Sequence, residues 1–251
     1  MPSTTPEPFL DWSRAAPCEH CGKQLPMRMI PAAFGGVKAV AVGLAPCDCE
    51  GAVEARRAAE EAEEAEKRAK EEAAEARLLD KAGIPPRYRR HSHPYAAKMA
   101  DMARNGQSFY IHGPNGTRKT TLAMAVGNIL AHKGVSVCAL ATYDLMDAMR
   151  SRKDEDRALF ERAASCDVLI LDDLGKEASN TAYACERLFA IIDKRDKAEK
   201  PTIITTNYKL SEIAKKITEG AVGVAIASRL RGSCKQVPLE GEDWRLKDGQ
   251  D

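Results

Sequence analysis

The sequence lacks any apolar run of about 18 residues, the length that a membrane-spanning helix requires. Its first nine residues contain no basic side chain and no apolar core, unlike a secretory leader. Neither sign of charge is in excess, because 38 lysines and arginines face 37 acidic residues. We therefore expect no secretion and no membrane span, and a cytoplasmic location. Any contact with nucleic acid must be local rather than driven by an overall basic charge.

Cysteine, in contrast, occurs eight times in 251 residues, and without a leader we expect metal ligands or reduced thiols rather than disulfides. Two close pairs near the start, separated by 25 residues and flanked by Pro and Gly turn residues, predict a tetrahedral zinc site with the ligands Cys18, Cys21, Cys47 and Cys49. Alternatives are His20 in place of one thiolate, a redox pair, or four free thiols. The four isolated cysteines, Cys138, Cys166, Cys185 and Cys234, are expected to be core thiols.

Composition changes twice along the chain and predicts three parts. Residues 1–50 form a zinc-binding head, 51–82 a charged helical linker, and 83–251 a larger body. The linker holds eleven Ala, nine Glu and seven Lys or Arg, a strongly helix-forming mixture that ends before Gly83 and Pro85. Its apolar stripe consists of alanines alone, which favours a solvated spacer helix over a helix that docks on a partner.

The body alternates short apolar segments with amphipathic ones, which predicts an α/β fold built on a parallel sheet. The predicted strands are residues 108–112, 135–142, 167–172, 201–206 and 235–239. Residues 120–132 and 181–194 repeat apolar side chains at helical spacing and are predicted to be crossover helices.

The strongest chemical signal lies between the first predicted strand of the body and the helix that follows. It is close to a phosphate-binding P-loop and consists of Gly113, Pro114, Asn115, Gly116, Thr117, Arg118, Lys119 and Thr120. Such a loop directs backbone N–H groups at a phosphate chain, while the Lys contacts the terminal phosphates and the Thr hydroxyl binds Mg²⁺. Arg118 stands where the pattern has glycine. The alternative is an ordinary Gly-rich turn between a strand and a helix.

A second signal is the apolar segment 168–171, which ends in Asp172 and Asp173. Beside a P-loop, this pattern indicates a Walker B element in which Asp172 holds Mg²⁺ and Asp173 polarises the attacking water. Alternatively, the two acids cap the next helix. Asn207 follows another apolar strand, where its amide could orient water near the γ-phosphate of ATP.

Taken together, five segments of the body resemble the DnaC/IstB-like branch of the AAA+ ATPases, over about residues 80–251. They are AGIPPRYR (82–89), HGPNGTRKTTLA (112–123), LILDDLG (169–175), PTIITTN (201–207) and SRL (228–230). The resemblance implies an AAA+ P-loop NTPase fold with ATP and Mg²⁺ as cofactors, and it places residues 84–88 near the adenine. It also implies that Asn207 is sensor 1 and Arg229 an arginine finger presented to a neighbouring subunit, with Arg245 as sensor 2.

The family includes bacterial and phage loaders of the replicative DNA helicase, several of which resemble this chain in having a zinc-bearing, helicase-binding head. The resemblance thus implies an ATP-dependent helicase loader that forms a homo-oligomer when ATP is bound. It also implies contact with single-stranded DNA, through segments such as residues 143–150. Two alternatives are an IstB-like transposition helper and a non-hydrolysing adaptor in which Arg118 has abolished turnover.

Overall fold

The amino-terminal part of the chain forms a small antiparallel sheet. The computed structural model describes residues 9–31, 39–150, 154–176, 181–217 and 220–241. Strands β1 (Phe9–Pro17), β2 (Gln24–Ile30) and β3 (Val40–Leu44) pair in the order β1-β2-β3. By its contacts the chain divides into two compact units, Met1–Ala73 and Ala74–Asp251. The sheet belongs to the first unit, and the sequence pattern does not indicate it.

A single long helix, α1 (Glu50–Ala82), follows the small sheet and confirms the predicted helix. Residues 53–75 are exposed to solvent, including the alanines among them. Ion pairs at four-residue spacing, such as Glu64–Arg68 and Glu66–Lys70, run along its surface. Among the helices that the described residues form, none combines the length and apolar character needed to cross a bilayer.

The second unit is built around a five-stranded parallel sheet with the order β5-β6-β7-β4-β8. Its strands are β4 (Ser108–His112), β5 (Val137–Ala141), β6 (Val168–Leu174), β7 (Thr202–Thr206) and β8 (Cys234–Pro238). All five were predicted, with ends that differ by at most two residues. The parallel α/β fold is therefore confirmed.

Helices cover both faces of this sheet. A 3-10 helix (Pro86–Tyr88) is followed by α2 (Ala96–Arg104), α3 (Lys119–His132), α4 (Thr142–Arg150), α5 (Asp154–Ser165), α6 (Ala182–Lys197), α7 (Ile213–Ile217) and α8 (Ala221–Ser233). The predicted crossover helices correspond to α3 and α6. Three of the isolated cysteines, Cys138, Cys166 and Cys185, are buried and Cys234 is half-buried, as expected for core thiols.

Strand β4 is buried on both faces, which explains the consecutive large side chains of residues 109–111 at its centre. Phe109 and Ile111 pack in one core cluster with Leu122 of α3, while Tyr110 packs in the other cluster with Leu188 of α6. The connection that leaves β4 runs to β5 at one edge of the sheet, whereas the connection that leaves its neighbour β7 runs to β8 at the other edge. The strand order therefore reverses between β7 and β4. In open α/β sheets, ligands bind at the carboxyl ends of the strands beside such a reversal.

Candidate functional site

The loop of residues 113–118 lies at that position and joins β4 to α3. A Cβ atom at Gly113 would come within 2.0 Å of the carbonyl oxygen of Leu239, so this position excludes any larger residue. Gly116 has a φ of 76°, in the left-handed region that glycine adopts most easily. The backbone therefore requires glycine at position 113 and favours it at position 116.

Arg118 occupies the position where the P-loop pattern has a third glycine. It precedes α3 with φ 62° and ψ 27°, also in the left-handed region. A side chain in this conformation costs about 1 to 2 kcal/mol relative to a right-handed one. The loop therefore has the backbone shape that glycine normally supplies, and Arg118 adopts it under strain.

Lys119 is the first residue of α3, and its side chain is buried. Its Nζ donates hydrogen bonds to the carbonyl oxygens of Gly113, at 2.9 Å, and Pro114, at 2.6 Å. These bonds hold an ammonium group against the loop at the amino end of a helix, where unpaired N–H groups and the helix dipole already favour an anion. The geometry suits a phosphate group.

Two carboxylates end β6 beside this loop. The Oγ1 of Thr120 donates to the Asp172 carboxylate, at 2.9 Å to Oδ1 and 3.2 Å to Oδ2. Burial raises the pKa of Asp172 above its usual value, and the nearby Asp173 contributes to the rise. A hydroxyl and a carboxylate side by side are the oxygen ligands that Mg²⁺ accepts in nucleotide sites, so the donor set fits this ion.

Asp173 has a φ of 60° and therefore also lies in the left-handed region. Its Oδ1 is 2.8 Å from Nζ of Lys176, a residue to which the sequence pattern assigns no role. The backbone N–H of Asp173 donates to Oγ1 of Thr205 at 2.9 Å, and that hydroxyl donates to Oδ1 of Asp172 at 2.5 Å. The two acids are thus tied to β7 through one threonine.

Asn207 directly follows β7, as the sequence predicts for a sensor residue. Its Oδ1 is buried and has no hydrogen-bond partner among the described residues. Buried acceptors are nearly always satisfied in folded proteins, so this oxygen has the capacity to accept a further hydrogen bond.

A cavity of about 440 Å³ joins the loop to the two carboxylates. It is lined by Asn115, Gly116, Arg118, Lys119, Thr120, Thr121, Asp172, Asp173 and Lys176, together with Arg87, Tyr88 and His91. The Arg87 guanidinium lies 4.7 Å from the centroid of the Tyr88 ring. Of the residues expected near an adenine, Arg87 and Tyr88 line the cavity, whereas Ile84 is buried in the core. The volume is within the range of about 300 to 1,000 Å³ that small-molecule sites occupy.

Arg229 lies apart from this cavity, on α8. Its Nη2 is 2.6 Å from Oδ1 of Asp193 and its Nη1 is 3.5 Å from Oδ2 of Asp196, both acids being on α6 of the same chain. The guanidinium is therefore in an ion pair away from its own phosphate-binding loop.

Arg245, the expected sensor 2, lies outside the described residues. In the segment expected to contact DNA, Tyr143 is exposed.

The four amino-terminal cysteines come together as the sequence predicts. Their sulfur atoms all lie within 4.8 Å of one another, with Cys18 Sγ 3.8 Å from Cys49 Sγ and Cys21 Sγ 3.5 Å from Cys47 Sγ. Four thiolates at about 2.3 Å from a tetrahedral Zn²⁺ are about 3.8 Å apart, so the cluster fits this ion. Backbone hydrogen bonds from His20 and Cys21 lower the pKa of Cys18 to about 6. His20 is not in the cluster, and its ring packs against Gly51.

Comparison with known proteins gives a family match over residues 95–251, to the family described as IstB-like ATP binding protein. The replicative helicase loader DnaC of Escherichia coli strain K12 is 30% identical over 119 residues, which cover 46% of this chain and 48% of DnaC. A putative ATP-binding protein of insertion sequence IS232, from Bacillus thuringiensis subsp. berliner, is 28% identical over 138 residues and covers 54% of both chains. The chain thus spans about half the length of the curated relatives it matches.

Among solved structures, the crystal structure of DnaI superposes with a TM-score of 0.54 at 22% identity. The alignment covers 64% of this chain and 93% of DnaI. At this level of identity the similarity concerns the fold.

Proposed function

Because the chain belongs to the family of IstB-like ATP-binding proteins, we propose that it uses ATP to load a replicative DNA helicase onto single-stranded DNA. The observation that carries the proposal is the cavity in which the phosphate-binding loop, Lys119 and the Thr120–Asp172 pair meet. We assign residues 1–50 to a zinc-bearing head that contacts the helicase, 51–82 to a helical linker, and 83–251 to an AAA+ ATPase domain that assembles with copies of itself.

In this proposal, the loop of residues 113–118 and Lys119 hold the phosphates of ATP, and Thr120 and Asp172 hold Mg²⁺. When bound there, the ion would supply positive charge that offsets the negative charge of the phosphates. Asp173 accepts a hydrogen bond from the attacking water, and Asn207 orients that water through its unpaired Oδ1. Water adds to the γ-phosphorus while the bond to the ADP oxygen breaks, giving ADP, phosphate and a proton that passes to solvent. Arg229 of a neighbouring copy and Arg245 stabilise the charge that develops.

Replacing Arg118 by glycine should leave hydrolysis equal or faster. Glycine adopts the left-handed conformation of this position without the cost of about 1 to 2 kcal/mol that a side chain has there, and it gives the phosphates more room. Arg118→Ala, which also removes the guanidinium but keeps the strain, is the matched control for charge. Steady-state ATPase rates of the three proteins test this prediction. A large loss in both variants would mean that Arg118 itself contacts the phosphates.

The head should bind one zinc ion per chain through its four cysteines. Its hydrophobic cluster contains Cys18, Leu25, Cys47 and Ala52. A core of this size is too small to stabilise a sheet without a bound metal ion or a disulfide. Metal analysis of Cys18→Ser and Cys47→Ser should find the zinc lost, and proteolysis should find residues 9–49 cleaved while the second unit stays resistant. Cys234→Ser, at a half-buried cysteine of the second unit, should keep its metal. Wild-type protein without stoichiometric zinc would contradict the site.

A second candidate function is that of a transposition helper, which the similarity to the IS232 protein favours. The cysteine cluster favours the loader, because several loaders of this family resemble the chain in having a zinc-bearing head. Binding of the purified chain to the replicative helicase of its own organism, with ATP and with ADP, separates the two. The loader should bind the helicase directly, and Cys47→Ser should lose that binding. A transposition helper should instead bind duplex DNA and a transposase.

A further inference from the structure

Strand β6 is irregular where it carries the two carboxylates. On the neighbouring strand β7, Leu171 pairs with Ile204 and Leu174 pairs with Thr206, so Asp172 and Asp173 together face the single residue Thr205. This is the geometry of a β-bulge, in which one backbone group of the bulged strand loses its regular partner. The Thr205 side chain supplies the missing partner, because its Oγ1 accepts the backbone N–H of Asp173 at 2.9 Å.

The direction of the hydrogen bonds around Thr205 follows from the groups themselves. A backbone N–H can only donate, and an ionised carboxylate can only accept. The single hydroxyl hydrogen of Thr205 therefore goes to Oδ1 of Asp172, at 2.5 Å, while its oxygen accepts from Asp173. The same Oδ1 also accepts from Thr120 at 2.9 Å. A hydrogen-bonded chain thus connects Asp173 to Thr205, Asp172 and Thr120.

Resting on the proposed function, we propose that Thr205 is a positioning residue that sets the magnesium-binding carboxylate and the water-polarising carboxylate in one geometry. It is fully buried and does not line the cavity among the described residues, so it acts through Asp172 and Asp173 rather than on ATP itself. Its hydroxyl fixes one rotamer of Asp172, and its oxygen holds the backbone of Asp173 in the left-handed conformation. Side chains that orient a ligand of a metal commonly change its affinity about 10- to 100-fold when they are removed.

Replacing Thr205 by valine removes both hydrogen bonds and keeps the shape and volume of the side chain. A fluorescent ATP analogue should bind more tightly as Mg²⁺ is added, and the Mg²⁺ concentration at half of this effect measures the affinity for the ion. We expect that concentration to be about tenfold higher, or more, in the variant. The turnover number should fall as well, while the affinity for the nucleotide measured in EDTA stays close to that of the wild type. Thr205→Ser, which keeps the hydroxyl, should recover most of both losses.

Thr206→Val is the matched control, because Thr206 is equally buried on the same strand. Its hydroxyl donates to the carbonyl oxygen of Leu174 rather than to a carboxylate, and the variant should keep the wild-type dependence on Mg²⁺. A wild-type Mg²⁺ dependence in Thr205→Val, an equal loss in Thr206→Val, or no recovery in Thr205→Ser would overturn the proposal.

If Thr205→Val does not bind nucleotide in EDTA, Thr205→Ala takes its place with the same expected results. Wild-type protein that binds no nucleotide would instead refute the proposed function, so the two failures are distinguishable.

Discussion

Replacing Lys119 by alanine should weaken ATP binding about 10- to 150-fold, the equivalent of about 1.5 to 3 kcal/mol for a lost hydrogen bond between charged groups. The Lys119 ammonium is buried at the amino end of α3, where an anion gains most from a positive charge. The variant also removes the hydrogen bonds to the carbonyl oxygens of Gly113 and Pro114, which help to hold the shape of the loop. Their loss should weaken ATP binding further. Isothermal titration with a non-hydrolysable ATP analogue measures the effect.

Lys133→Ala is the matched control for this experiment. Lys133 follows the other end of α3 and pairs with Asp101 at 2.7 Å, so the variant removes the same charge far from the loop. It should bind ATP as the wild type does. Unchanged nucleotide affinity in Lys119→Ala would refute the assignment of residues 113–120 to a phosphate-binding loop.

Replacing Arg229 by alanine should lower ATP hydrolysis without lowering the ATP affinity of the isolated chain. A finger supplied by another subunit contributes about 10³- to 10⁵-fold in rate where it has been dissected, and a weak basal ATPase would lose less. In this chain Arg229 pairs with Asp193 and Asp196, and its side chain is 41% exposed. Asp193 also pairs with Lys197, at 2.6 Å, so this carboxylate keeps a partner when Arg229 leaves it for a phosphate.

Mixing two inactive variants tests whether the site is shared between subunits. Arg229→Ala lacks the finger and Asp173→Ala lacks the water-polarising carboxylate, so some mixed interfaces contain both intact groups and activity should return. Arg231→Ala, on the exposed side of the same helix, should hydrolyse ATP normally. Absence of recovery at every ratio, despite demonstrated co-assembly, would make Arg229 a surface charge held by α6.

The sequence predicted the second unit well because local pattern and burial agree there. The strands of the parallel sheet are short apolar runs, and α3 and α6 carry apolar side chains at helical spacing. The loop of residues 113–118 was recognisable because its glycines are fixed by backbone geometry, at Gly113 by the nearby carbonyl of Leu239.

The small sheet of the head was not predicted, because its strands show no alternation of apolar and polar residues. In β1 and β3 most side chains are exposed, among them Trp12 and Val42. Because neither face of these strands is buried, the sequence lacks the alternation of apolar and polar residues that indicates a strand. The pairing of four cysteines across 25 intervening residues was visible only because thiolate pairs have a chemistry of their own.

The detail of the site also exceeded what the sequence reveals. The role inferred for Thr205 depends on a bulge that sets two residues of β6 against one of β7, which no local pattern indicates. The ion pair of Arg229 joins residues of two helices separated by more than 30 positions, and many other acids were equally plausible partners.

The proposal that the chain loads a replicative helicase is tested most directly on a closed circle of single-stranded DNA that carries an annealed, forked strand. The helicase ring cannot thread onto a closed circle, so displacement of the strand reports loading. We expect displacement when helicase, wild-type chain and ATP are all present, and little displacement with Lys119→Ala or without the chain. Displacement that is equal with and without the wild-type chain, at helicase concentrations below those that load unaided, would contradict the account.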